Sequence, residues 1–109
     1  MNKKTFARFD ARARILKALA HPTRLFIVDE LARGPRCVQE LTAMIGADIS
    51  TVSKHLSMLK NVNVVSDEKR GTQVFYTLKM PCAVNFFSCV EDILYTNISE
   101  QMELANKGE

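Results

Sequence analysis

The chain has 109 residues, of which 47% are hydrophobic, and this length supports one modest core, so we expect a single domain over residues 1–109. The formal charge is only +3, but residues 3–36 carry nine Lys and Arg against three Asp and Glu. No apolar run approaches the roughly 20 residues of a membrane span, and the N-terminus lacks the apolar stretch of a secretory signal. We therefore expect a cytoplasmic protein, with no membrane contact, whose basic N-terminal end either meets a polyanion or is simply a solvated helix surface.

Two amphipathic helices are predicted first. Between Phe6 and Leu19, apolar residues recur at spacings of three and four, which indicates one helix. Pro22 suits the first turn of a second helix because a missing N–H costs nothing there. Residues 33–35, Arg-Gly-Pro, are predicted to end that second helix.

A third helix is predicted from Cys37 to Ile45, with Gly46 as its C-terminal cap. The residues expected to face inward are Val38, Leu41, Met44 and Ile45. A tight turn, Gly-Ala-Asp, then leads to a fourth helix, which Asp48 or Ser50 can cap through a side-chain oxygen.

The fourth helix has two different faces. Its buried stripe is predicted to consist of Val52, Leu56, Leu59 and Val62. Its N-terminal half presents short polar or basic side chains, namely Ser50, Thr51, Ser53, Lys54 and His55. This combination is typical of a recognition helix, which packs its rear face on the domain and reaches base edges in the DNA major groove.

A β-hairpin and a long last helix complete the prediction. Two β-rich runs flank Gly71, which provides the permissive backbone of a hairpin tip. The predicted DNA-contacting residues of this basic tip are Lys69, Arg70, Thr72 and Gln73. After Pro81, an apolar helix is expected from residue 82 to about 105, with the last few residues frayed. Its apolar face exceeds the needs of one small domain, so we expect a dimer.

Three helices with a short turn before the recognition helix, followed by a basic hairpin, predict a mainly α winged helix-turn-helix. The sequence resembles the ArsR/SmtB-like family of metal-, metalloid- and thiol-responsive repressors over about residues 10 to 95. The resemblance rests on LKALAHPTRLFIVDEL, STVSKHLSMLKN and KRGTQVFYTL. It implies a homodimer, formed chiefly by the first and last helices, that binds a palindromic operator in double-stranded DNA and leaves it when an inducer binds. Arg24 resembles a position that supports the DNA-binding core, although capping and surface packing would also explain Arg24 and His21.

The cysteines are the candidate inducer site. Cys37 matches the first thiol of the family's third-helix Cys-X-Cys site, but Gln39 replaces the second thiol, and one thiolate cannot hold a soft ion alone. The family's last-helix metal site matches Met80, Cys82, Ile93 and Thr96, of which only Cys82 could bind. Cys82 and Cys89 would lie about 10 Å apart along a straight helix, too far to share an ion. Either Cys82, which follows Pro81, sits in an irregular first turn, or Cys37 approaches one of the two, within a chain or across the dimer.

Several readings of the cysteines stay open. They could form a site for arsenite, antimonite or another thiophilic ion, which is the first choice, or a redox- or persulfide-sensing pair, or simply be small buried hydrophobic residues. An effector-independent DNA-binding protein and a protein-docking winged helix are alternatives for the whole chain. An enzyme is not expected, because neither His21 nor His55 stands in a recognisable nucleophile–base motif.

Overall fold

The computed structural model describes residues 1–107, which form five helices and three strands in the predicted winged helix-turn-helix order. In chain order these are α1 (Lys3–Leu19), α2 (Pro22–Leu31), β1 (Arg36–Cys37), α3 (Val38–Ile45), α4 (Ile49–Asn61), β2 (Val65–Arg70), β3 (Gln73–Leu78) and α5 (Ala83–Lys107). None of the helices in this range is both long enough and apolar enough to cross a membrane.

The helix ends follow from local sequence. The Asn2 side chain accepts a hydrogen bond from the Thr5 N–H (2.8 Å) and caps α1. Of the two predicted caps for α4, Asp48 is the one used, because its Oδ1 accepts from the Thr51 N–H at 2.7 Å. Gly46 ends α3 in the left-handed conformation (φ 76°), as predicted.

The core lies behind α4. Val52, Leu56 and Leu59 are completely buried, so the predicted stripe is confirmed, and Val62 is half-buried at its end. The same cluster contains Leu19, Ile27, Val28, Leu31, Leu41, Val64, Val65, Tyr76 and Ala83. Because α4 supplies three of its central residues, the position of this helix is fixed by the hydrophobic effect rather than by surface contacts.

The three strands form an antiparallel sheet in the order β1-β3-β2. Strands β2 and β3 make the predicted hairpin, hereafter the wing, with Val65 opposite Leu78 and Arg70 opposite Gln73. Gly71 has φ 64° at its tip, a conformation that favours glycine. The sequence did not predict β1, because a two-residue strand is too short for a periodic pattern.

The junction between α4 and the wing is held at two points. Asn63 adopts the left-handed conformation (φ 63°), and the N–H of the following Val64 returns to the Leu59 carbonyl at 3.0 Å. The Lys60 ammonium then pairs with the Asp67 carboxylate of β2 at 2.9 Å. Because α4 and the wing are joined in this way, we refer to the two together as the DNA-reading unit, after the role that the sequence predicts for them.

Some sequence predictions need correction. Cys37 lies in β1 and precedes α3 as its N-cap, so α3 starts one residue later than predicted. Met44 does not face inward, because 46% of its surface is exposed. Cys82 occupies a turn and α5 starts at Ala83. The helix continues to Lys107, so the frayed end predicted from residue 105 is absent up to there, while residues 108 and 109 lie outside the described range.

Helix α5 projects from the domain. Its 25 residues span about 37 Å, yet only Ala83 is buried and Phe87 packs against the core. The radius of gyration, 17.7 Å, exceeds the roughly 13 Å expected of a compact chain of this length. The described residues include 19 exposed large hydrophobic side chains, of which 13 lie on α1 and α5. A single copy therefore leaves an apolar surface of unusual size uncovered.

Candidate nucleic-acid interface

The N-terminal half of α4 presents the five predicted contact residues at one end of the domain. Ser50, Thr51 and Lys54 are exposed, whereas Ser53 and His55 are half-buried. The Ser50 hydroxyl donates to Asp48 Oδ1 at 2.9 Å, so Ser50 also supports the helix cap. Hydrogen bonds from Thr51 and Ser50 hold the pKa of Asp48 below its ordinary value, which keeps this carboxylate charged.

The wing places its four predicted residues, Lys69, Arg70, Thr72 and Gln73, on the exposed tip. The Arg70 guanidinium donates to Glu68 at 3.2 Å and lies 4.8 Å from the centre of the Phe75 ring. These two contacts restrict the orientation of Arg70. The ion pair with Glu68 is exposed, so a phosphate could replace that carboxylate at little cost.

A cluster that the sequence did not predict connects α2 to α4. The Arg24 Nε–H donates to His55 Nδ1 at 3.2 Å, and its Nη1 donates to the Ala18 carbonyl at 3.0 Å. The His21 ring lies against the His55 ring, with centroids 4.5 Å apart, while His21 Nδ1 accepts from the Thr23 N–H. His21 therefore caps α2, as one reading of the sequence suggested, and Arg24 ties α1 to α4.

The surroundings of His55 disfavour its protonation. Burial, followed by His21 and the Arg24 guanidinium, holds the pKa of His55 below its ordinary value of 6.5. No carboxylate in residues 1–107 forms an ion pair with His55 to compensate. The imidazole is therefore neutral near pH 7.

Acidification should consequently destabilise the protein at pH values higher than those at which carboxylates titrate. The unfolded chain binds a proton at His55 more tightly than the folded chain, so the unfolding free energy should fall as pH drops below 6.5. The slope is limited to about 1.4 kcal/mol per pH unit for one proton. Urea unfolding between pH 7.5 and 5.5 should show this loss, and His55→Gln should flatten it. An equal slope in both proteins would contradict the assignment.

A separate ion-pair network braces the start of α3. Glu30 is only 5% exposed, and its carboxylate accepts a hydrogen bond from Arg33 at 3.2 Å and forms an ion pair with Arg36 at 3.5 Å. Arg36 also pairs with Glu40 at 3.7 Å, and the Cys37 N–H donates to the Glu40 carboxylate at 3.1 Å. The hydrogen bonds from Cys37, together with the nearby Arg36, hold the pKa of Glu40 below its ordinary value. Cys37 thus begins the helix that packs beside α4.

The three cysteines are free thiols in different surroundings. Cys37 is buried, whereas Cys82 and Cys89 are exposed. The reading of these residues as small buried hydrophobic side chains therefore fits Cys37 alone. Within residues 1–107 of one chain, no three His, Cys, Asp or Glu side chains are grouped so that they could hold a metal ion. A site with three donors would thus need groups from a second copy.

Known proteins share this architecture. Residues 21–67, from the start of α2 into β2, match the family described as "Bacterial regulatory protein, arsR family". The crystal structure of the transcriptional repressor BigR from Xylella fastidiosa is 31% identical and superimposes with a TM-score of 0.70, covering 85% of this chain and 96% of that one. This chain belongs to the ArsR family.

Two other members extend the comparison. The transcriptional repressor SmtB of Mycobacterium tuberculosis is 42% identical over 69 residues, which are 63% of this ArsR-family chain and only about half (51%) of the relative. The homodimeric winged helix-turn-helix DNA-binding domain of Mb0332 from Mycobacterium bovis is 29% identical with a TM-score of 0.75, and the match covers 92% and 93% of the two chains. The predicted fold class is confirmed, and these relatives are regulators rather than enzymes, as expected.

Proposed function

We propose that this ArsR-family chain is a sequence-specific, DNA-binding transcriptional repressor that acts as a cytoplasmic homodimer on a palindromic operator. The observation that carries the proposal is the DNA-reading unit. The rear of α4 is fully buried through Val52, Leu56 and Leu59, while its opposite face presents polar residues beside a basic wing. This arrangement suits insertion of α4 into a major groove, with the wing on the flanking backbone.

The homodimer rests on the apolar surface of α1 and α5. Between α1, α2 and α5 lies an open groove of about 560 Å³, whose walls include Leu16, Leu25, Phe86, Val90 and Leu94. Further along α5, Ile98 and Met102 are more than half exposed. A second copy that packs its own α1 and α5 here would cover these residues and place two DNA-reading units on one duplex.

Substitutions in α4 and in the wing should weaken DNA binding in different ways. Ser53→Ala should reduce the preference for operator over random duplex by on the order of 1 to 3 kcal/mol, if one base contact is lost. Arg70→Ala should weaken both duplexes alike and make the salt dependence shallower, because a phosphate contact carries no sequence information. Fluorescence anisotropy at several salt concentrations measures both effects.

The control for these substitutions is Ser88→Ala, which removes an exposed hydroxyl on α5, outside α4 and the wing. It should leave operator preference unchanged. If Arg70→Ala altered sequence preference while Ser53→Ala did not, the roles proposed for helix and wing would be reversed. If no duplex sequence were preferred by the unaltered protein, the protein-docking alternative would replace the repressor function.

We further propose that the inducer acts on the cysteine thiols, with arsenite, antimonite or another thiophilic ion as first choice and thiol oxidation or persulfidation as the alternative. Soft ions prefer thiolates. Cys37 lies at the start of α3, so a ligand there would shift the helix that packs beside α4. Because residues 1–107 of one chain provide no group of three donors, a site at Cys37 would need thiols of a second copy, which the exposed Cys82 or Cys89 could supply.

Cysteine variants test this second proposal. Cys37→Ser should bind operator normally and no longer release it with inducer, whereas the unaltered protein releases it. Operator release is measured with arsenite, antimonite, cadmium, zinc, an oxidant and a persulfide donor in parallel. If a variant with all three cysteines changed to serine still dissociated normally from the operator with inducer, the proposed thiol switch would be refuted. If none of these agents released the unaltered protein, the effector-independent alternative would stand.

A further inference from the structure

The contact between Arg24 and His55 defines the chemical state of a side chain on the recognition helix. The Arg24 guanidinium is held from two directions, by the Ala18 carbonyl at 3.0 Å and by His55 Nδ1 at 3.2 Å. Arginine carries only donors and stays charged at any accessible pH. His55 Nδ1 must therefore be the acceptor, which requires an unprotonated nitrogen at that position.

This requirement selects one form of the imidazole. A neutral histidine carries its single proton on one of its two ring nitrogens, so an accepting Nδ1 places the proton on Nε2. His55 Nε2 has no hydrogen-bond partner in the described part of the chain, and it is not among the buried polar atoms that lack one. Nε2 is therefore accessible from solvent and presents an N–H.

The other groups that face His55 favour the same state. His21 packs on the ring, with the two ring centroids 4.5 Å apart, and both His21 and the Arg24 guanidinium disfavour a positive charge on His55. A second proton on His55 would lie beside the guanidinium and would remove the Arg24 hydrogen bond. The ring is thus held neutral and oriented from one side, while its opposite nitrogen is left free.

We propose that Arg24 is a positioning residue that fixes His55 as a hydrogen-bond donor, so that α4 selects a base-pair edge presenting an acceptor where His55 meets the groove. The acceptors in the major groove are guanine N7 and O6, adenine N7 and thymine O4, whereas cytosine presents only its N4 amino donor. This inference rests on the proposed DNA-binding function. The inference specifies that His55 is the hydrogen-bond donor and the base the acceptor, because an imidazole without Arg24 could donate or accept.

The state of His55 can be measured without DNA. Nitrogen-15 NMR of the imidazole distinguishes a proton on Nε2 from one on Nδ1. At pH 7.5 the unaltered protein should show His55 in the Nε2–H form alone, and Arg24→Lys, which keeps the charge but lacks the planar Nε–H, should admit the Nδ1–H form. A mixture of both forms in the unaltered protein would overturn the inference. Circular dichroism checks that the variant remains folded.

Base analogues in DNA test whether His55 recognises a hydrogen-bond acceptor on a base. A preferred duplex is first selected from a random pool with the unaltered protein; failure at this stage would refute the proposed function itself. Each purine in the half-site is then replaced by its 7-deaza analogue, each guanine by 6-thioguanine and each thymine by 4-thiothymine, so that one acceptor at a time is removed or weakened. One replacement should weaken binding roughly twofold to tenfold, the size of one net hydrogen bond.

Coupling to His55 identifies the contact. The same base replacement should not weaken DNA binding by His55→Ala and should weaken binding by Arg24→Lys less than binding by the unaltered protein. It should weaken binding by His55→Gln almost as much as in the unaltered protein, because the glutamine amide still offers a donor. If every analogue weakened the unaltered protein and His55→Ala equally, His55 would read no base acceptor and the inference would fail. Sequence-specific binding by the unaltered protein would then still support the repressor function.

Discussion

Leu56→Ala is expected to lower the free energy of unfolding by about 2 to 5 kcal/mol, the cost of truncating a fully buried leucine. Leu56 has no exposed surface and lies in the core cluster with Ile27, Val28 and Leu41. Truncation would leave a cavity directly behind the polar face of α4. Because small domains have only about 5 to 15 kcal/mol of stability in total, thermal or urea unfolding should show a large shift.

The matched control for this substitution lies on the same helix. Met58→Ala truncates a side chain that is 46% exposed, so its effect should stay within about 0.5 kcal/mol. Equal losses in the two variants would contradict the burial of the rear face of α4. Operator binding by Leu56→Ala, measured well below its unfolding midpoint, should be weakened because the recognition helix is less firmly held.

In the proposed homodimer, Leu94→Glu should raise the dissociation constant on the order of a hundredfold or more, since each copy would bury an unpaired carboxylate. Leu94 is 52% exposed in one copy and lines the groove between α1, α2 and α5. Glu91 and Asp92 of the same helix add repulsion. Sedimentation should detect a 12.3 kDa species, and operator affinity should fall because one copy occupies only one half-site.

The control replaces an exposed hydrophobic residue outside α1 and α5 with glutamate. Met44→Glu on α3 alters a side chain of similar exposure, 46%, and should leave the dimer intact. If Leu94→Glu sedimented as the unaltered protein does, the second copy would cover a different surface. If Met44→Glu alone produced monomers, the interface would lie on α3.

The parts of the fold that the sequence predicted are those governed by local chemistry. Val52, Leu56 and Leu59 recur at helical spacing, and Gly46 takes the left-handed cap conformation that glycine favours. Met44 was misassigned because it sits at the edge of the apolar stripe of a short helix, where the pattern alone does not determine burial.

The candidate site was predicted only in part. The polar residues of α4 lie outside its apolar stripe of Val52, Leu56 and Leu59, so their position away from the core could be deduced from helical spacing. The hydrogen bond between Arg24 and His55 joins residues 31 positions apart, and nothing in the spacing of either residue specifies it. The exposure of Cys82 and Cys89 depends on how far α5 projects, which is a property of tertiary packing.

Under the proposed function, the junction between α4 and the wing would constrain how an inducer acts. Asn63 and the Lys60–Asp67 ion pair fasten the wing to α4, so each copy would meet DNA with these two elements as one body. The separation between the two bodies would then be what an inducer changes. A tilt of roughly 10° acting over a lever of about 20 Å displaces a body by about 3.5 Å, close to the rise of one base pair. Loss of register with the operator would therefore require only a small rotation at the dimer helices, with each DNA-reading unit internally unchanged.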